Sequence, residues 1–324
     1  MAELIKKVPI PTAGVALGLA ALGNLLQPYS GVARGLCGAL SLALVALLLA
    51  KVVRHPDMIR EDFKNSILAS VSATLLMAIM QLSTYLAPVT LWGGFALWSM
   101  AVGLHLGSMV WFTSRFIRRF QLKEVFPTYF ICYVGIIVAS VTSPTYGAEA
   151  LGHGLFWLGF ACYAVLLAVV TYRYAKHEVP EGARPLFCIY TAPMSLSLVG
   201  YLATAPEPNP VMVGVMLVLA QGFLVLVLSR LPKFIGLPFY PSYAAMTFPF
   251  VISATALSQG VAFLNGLGAG LPAALDVLVL AETGLAVVMV GYVLTCYLRF
   301  FFKRAEQPAP QPVAVPVAME ATVE

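Results

Sequence analysis

Residues 211–228 read VMVGVMLVLAQGFLVLVL, an unbroken apolar run without a charged residue. Pro206, Pro208 and Pro210 precede it, and Arg230 and Lys233 follow. As a helix it would be roughly 27 Å long, close to the ~30 Å hydrocarbon core of a bilayer. Similar runs recur along the 324 residues: 60% are hydrophobic, 10% are charged, and the mean hydropathy is +0.89. A soluble globular chain carries about a quarter charged residues. These side chains cannot coat a water-soluble globule, and a soluble enzyme is excluded. A membrane barrel would show segments of about ten residues with alternating polarity, which runs such as Val211 to Leu228 contradict. The fold class is an all-α integral membrane protein.

Working outward from this run, ten transmembrane helices are expected near 10–26, 31–53, 65–86, 90–113, 126–141, 150–173, 185–203, 210–229, 242–263 and 274–300. Lys and Arg concentrate on the cytoplasmic side of membrane proteins, and with ten spans 18 of the 19 basic residues fall on one side. These are Lys6 and Lys7, then a second loop with Lys51, Arg54, Arg60 and Lys64, a fourth with Arg115, Arg118, Arg119 and Lys123, and a sixth with Arg173, Lys176 and Arg184. Arg230 and Lys233 occupy the eighth, Arg299, Lys303 and Arg304 follow the last span, and only Arg34 falls opposite. A multi-pass protein with both termini in the cytoplasm follows. The net charge of +5 is then membrane topology and gives no reason to expect nucleic acid.

Residues 1–304 form the expected ten-helix transmembrane domain, and the proline-rich stretch 305–324 reads as a flexible cytoplasmic tail. Met1 to Val8 is too short for a cleavable signal, and no cleavage site follows. Cys37, Cys132, Cys162, Cys188 and Cys296 lie in the spans without paired spacing, so no disulfide framework, metal site or cofactor is expected. No phosphate-binding glycine loop of the ATP-driven pumps occurs. Scattered His and Cys residues assemble no nucleophile–base pair, so an intramembrane enzyme is not expected either.

The odd-numbered spans begin near 10, 65, 126, 185 and 242, at spacings of 55, 61, 59 and 57 residues, as five helical hairpins would. The odd spans also collect proline and hydroxyl residues, at Pro9 to Thr12, Pro127 to Tyr129, Thr191 to Ser195 and Pro241 to Pro249. Pro193 and Pro249 are expected inside their helices, where a missing N–H and a ring clash bend the axis. Bent helices need protein or water partners in hydrocarbon. An inner ring of odd helices around a central pore, and an outer ring of even helices rich in Leu, Val and Ala, is the expected arrangement.

Pro9-Ile10-Pro11-Thr12-Ala13-Gly14 leading to Gly18, Thr191-Ala192-Pro193-Met194-Ser195, and Pro241-Ser242-Tyr243 through Thr247-Phe248-Pro249 resemble the tellurite-resistance/dicarboxylate transporter family, which includes the slow-type anion channels. The resemblance runs from Pro9 to about Arg304. It implies a homotrimer, each protomer passing small inorganic or carboxylate anions through its own pore; independently, compact loops and a short tail without long cytoplasmic domains point to the plasma (cell inner) membrane. By the same resemblance Phe248 is the gating phenylalanine, although the residues alone allow it to be a packing ring beside Pro249. Pro11, Thr12, Gly14, Gly18, Thr128, Thr191, Pro193, Ser195, Thr247 and Pro249 are the candidate pore-lining residues. No Lys or Arg is expected deep in the inner helices, so hydroxyls and the freed N–H groups of broken helices would have to draw the anion.

His105, His153, Asp276 and Glu282 lie at or within even spans. Intramembrane ionisable groups are functional candidates, and Glu282, about two turns into the last helix, is the candidate for proton coupling. His105 fits a packing role between Gly103 and Gly107. Two functions therefore stand side by side: a passive anion channel, or a proton-coupled carrier of C4-dicarboxylate or sulfite.

Overall fold

The computed structural model describes residues 2–302; the tail expected at 305–324, with Lys303 and Arg304, lies outside the described residues. The described residues are helical without a strand, and eight helices are long and apolar enough to cross a membrane. In chain order the α-helices are α1 (Ala2–Lys7), α2 (Thr12–Leu26), α3 (Gly31–Arg54), α4 (Pro56–Asp62), α5 (Ser66–Val71), α6 (Ala73–Leu86), α7 (Leu91–Phe112), α8 (Thr128–Tyr133), α9 (Ile137–Thr142) and α10 (Glu149–Lys176). They continue as α11 (Ala192–Thr204), α12 (Pro210–Leu228), α13 (Leu231–Ile235), α14 (Phe248–Gly266) and α15 (Ala274–Phe302).

Local chemistry sets the boundaries. Ser30, Thr90 and Asn209 each accept backbone N–H bonds in the first turns of α3, α7 and α12, with Pro210 opening α12 where no N–H is needed. The segments expected at 10–26 and 126–141 are helical but fall short of a full span. The first is the 15-residue α2. The second is split, because the N–H groups of Val134 and Gly135 both turn to the Phe130 carbonyl. A Cβ at Gly135 would lie 2.2 Å from the Ile131 oxygen, so this turn requires glycine.

Pro193 and Pro249 sit differently from expectation. Each occupies the first turn of an α-helix that follows a 3-10 segment, Glu181–Thr191 before α11 and Pro241–Met246 before α14. The change from 3-10 to α bonding lies just before each proline.

Burial divides the helices. In the most apolar stretches of Ser66–Leu86, Glu181–Thr204 and Pro241–Gly266, 67%, 83% and 67% of residues are buried, against 33% in each of Gly31–Arg54, Leu91–Ile117, Glu149–Lys176, Pro210–Leu228 and Ala274–Phe302. The exposed surface of the latter carries Val32, Val110, Val218 and Val288, suited to lipid. Packing runs in a closed cycle: α2 on α6, α6 on α9, α9 on α11, α11 on α14, and α14 back on α2. Glycines allow the close approaches. A Cβ at Gly200 would meet Ile137 Cγ2 at 2.4 Å, and one at Gly18 would meet Thr247 Cβ at 2.6 Å. Without a hydrophobic drive between helices in lipid, such contacts carry the association.

Gly200→Val should therefore lower the thermal midpoint of the detergent-solubilised protein, at an overpacking cost of about 1–3 kcal/mol. Gly284→Val, where nothing lies within 4 Å, should leave it unchanged.

Candidate functional site

A cavity of about 1280 Å³ opens among the first halves of the five most buried helical segments. Its lining stops about halfway along each, at Leu17, Met77, Gly135, Leu196 and Pro249. Beyond that level the same segments continue with fully or nearly fully buried residues such as Ala20, Met80, Val138, Val199 and Ile252. Phe248, 5% exposed, lines the cavity beside Pro249 at this inner limit.

The position of Phe248 is fixed by the backbone before it. Thr247 stands between the 3-10 segment and α14 with φ −110° and ψ −88°, so the chain turns sharply there. Its hydroxyl lies 2.9 Å from the Gly14 carbonyl oxygen and 2.7 Å from that of Ala244, one proton serving both. Gly18 lets α2 come against Thr247 and the Phe248 N–H. The phenylalanine is therefore held through α2 as well as through its own helix.

Of the expected lining residues, Pro11, Gly14, Pro193, Phe248 and Pro249 border the cavity. Thr12, Gly18, Thr128, Thr191, Ser195 and Thr247 are buried around it without being among its lining. Ser195 donates to the Thr191 carbonyl at 2.9 Å, and Thr128 accepts from Ser70 at 2.8 Å. Among the described residues the hydroxyls of Thr12 and Thr191 have no hydrogen-bond partner. Glu282 is not among the cavity lining; it is 5% exposed, with one oxygen 3.1 Å from the Ser253 hydroxyl and the Gln221 side chain beside it. His105 is fully buried, and its Nε2 lies 3.0 Å from the Cys132 carbonyl beside the α8–α9 break. That carbonyl requires a donor, so Nε2 carries the proton. Asp276 is exposed, and His153 accepts from the Trp157 indole at 3.0 Å.

The sequence reading missed the charges of this cavity. Lys6, Lys7, Lys51 and Arg299 line it with a single carboxylate among the described lining residues, Asp62. Lys51 was expected in a loop but belongs to the last turn of α3, where it is 3% exposed. Its position inside the apolar run 31–53, three residues before the Arg54 that ends α3, was the available signal. Its ammonium donates to the Val8 carbonyl at 2.7 Å and lies 4.0 Å from Asp62. Burial raises the Asp62 carboxyl above its ordinary range, Lys51 opposing the rise and Glu61 adding to it.

Buried membrane helices around a cavity with basic walls fit the passage of anions, and the sequence comparison agrees. The profile of the voltage-dependent anion channel family, SLAC1, matches residues 7–298. The chain belongs to this family. Among curated proteins none matches the chain. Membership makes it a multi-pass membrane protein of anion channels and transporters, a family without enzymes, and meets the resemblance to the tellurite-resistance/dicarboxylate transporters drawn from the sequence.

Cys296 lines the cavity whereas Cys132 and Cys188 are buried away from it. A charged, membrane-impermeant thiosulfonate added to open membrane fragments should label Cys296, and Cys296→Ser should remove that labelling; mass spectrometry of the tryptic peptides reads both.

Proposed function

We propose that this chain is an anion channel or facilitator whose cavity is one half of a pathway closed by the Phe248 ring. The observation that carries the reading is the cavity itself: among the described residues four basic side chains line it against one carboxylate, and on α14 its lining ends at Phe248 and Pro249. An apolar ring at a constriction excludes water and ions until it moves. Burial of Phe248 beside the sharp turn at Thr247 supports that role. In this reading the five buried helical segments, with their more exposed successors, are five hairpins of a ten-helix protomer. The basic end faces the cytoplasm with both termini, in the plasma membrane, and assembly as a homotrimer is the form the resemblance implies. Thr12 and Thr191, buried behind the lining, are hydroxyls without a hydrogen-bond partner among the described residues.

Glu282 stands apart from the cavity lining, which favours passive conduction over a proton-coupled carrier of C4-dicarboxylate or sulfite. In proteoliposomes, Phe248→Ala should raise chloride or nitrate flux at least about tenfold, as removal of ~1.4 kcal/mol of barrier would. Glu282→Gln should leave that flux unchanged. Saturable malate or sulfite uptake that follows the proton gradient, and is lost in Glu282→Gln, would replace the channel with the carrier.

A further inference from the structure

We propose that the Lys51 ammonium is an anion-binding site within the cavity, taking a small anion in competition with Asp62. This rests on the channel reading and deepens it.

A lysine 3% exposed in the last turn of an apolar helix carries a large desolvation cost unless its charge is answered. Here the answer is incomplete. Of three ammonium hydrogens one is taken by the Val8 carbonyl at 2.7 Å, and Asp62 at 4.0 Å lies beyond hydrogen-bond reach. Among the described residues no other acceptor engages Lys51, and the side chain borders the cavity. Two donors and an unbalanced charge are therefore available to an anion that enters. Lys6, Lys7 and Arg299 on the same walls strengthen the positive potential, and in a low-dielectric recess such charges act over longer range than in water.

Asp62 sets the strength of the site. Ionised, it partly neutralises Lys51 and repels an incoming anion. Protonated, it leaves the ammonium unopposed. The charged groups facing Asp62 are Lys51 from α3 and Glu61 from its own helix, with Lys6 and Lys7 of α1 on the same cavity. Its carboxyl is raised by burial, so it gains its proton at a higher pH than an exposed aspartate would. Anion affinity should therefore rise as pH falls on the basic side.

The test is the thermal midpoint of the full-length, detergent-solubilised protein titrated with sodium chloride, nitrate or malate at fixed ionic strength made up with gluconate. A ligand that binds the folded state raises the midpoint by mass action. Wild type should show a saturable rise that is larger at acid pH. Asp62→Asn should bind roughly five- to tenfold more tightly without that pH dependence, the order a unit charge at this separation exerts after screening. Lys51→Gln should lose the saturable rise, and if it fails to fold, Asp62→Asn carries the test alone. Equal anion affinity in wild type and Asp62→Asn, or an undiminished rise in folded Lys51→Gln, would overturn the proposal. Anion binding at Lys51 with no flux through Phe248→Ala would sink the channel reading and leave the site standing. Flux through Phe248→Ala without saturable binding would do the reverse.

Discussion

In a bilayer, backbone groups released by a broken helix have no water to bond, and this fold breaks helices repeatedly where the chain enters its buried half. Side chains from neighbouring helices meet that demand. Lys51 at the end of α3 donates to the Val8 carbonyl ahead of Pro9, and Tyr297 of α15 donates to the Pro241 carbonyl. Arg173 at the end of α10 reaches the Lys123 carbonyl at 3.3 Å and stacks over the Phe126 ring before Pro127. His105 of α7 takes the Cys132 carbonyl at the α8–α9 break. The less buried helices thus shield the buried ones from lipid and also hold their broken ends in place.

The same arrangement separates rigidity from openness. Below the level of Phe248 the buried segments stand apart around a basic cavity, held at their ends by these side chains. Above it they close on one another, with glycine contacts such as Gly200 on Ile137. Phe248 lies at the boundary, and the hydroxyl of Thr247 just before it is shared between two carbonyls. Near the start of α3, Arg34 donates to Asn24 and to the Thr84 carbonyl and lies over the Tyr85 ring.

Much of the fold was legible because membrane insertion is written in composition. Apolar run length gave the eight membrane-length helices, and the contrast between Leu/Val-rich runs and those with Pro, Ser and Thr anticipated which would be buried. What sequence could not give was where helical bonding changes register. Pro193 and Pro249 signal a break, but only the preceding 3-10 turns place it before the ring. The break at Gly135 carries no proline and depends on a local choice of carbonyl by two N–H groups. The candidate site was read in part. Phe248 and its neighbouring prolines stood out by resemblance, yet Lys51 did not, because a lysine near a helix end looks solvated until a neighbouring segment folds over it. Its inward turn toward Val8 is a tertiary fact.

The hydrogen bond between Thr247 and Gly14 joins residues 233 apart in the chain. During synthesis α2 is made first and must wait for α14, nearly the last helix, before its glycine face is covered. Until then Gly14 and Gly18 present backbone to lipid or to whatever companion the insertion machinery offers. A chain cut short before α14 would lack both the closing helix and Phe248, so an incomplete product would be an open arc in the bilayer.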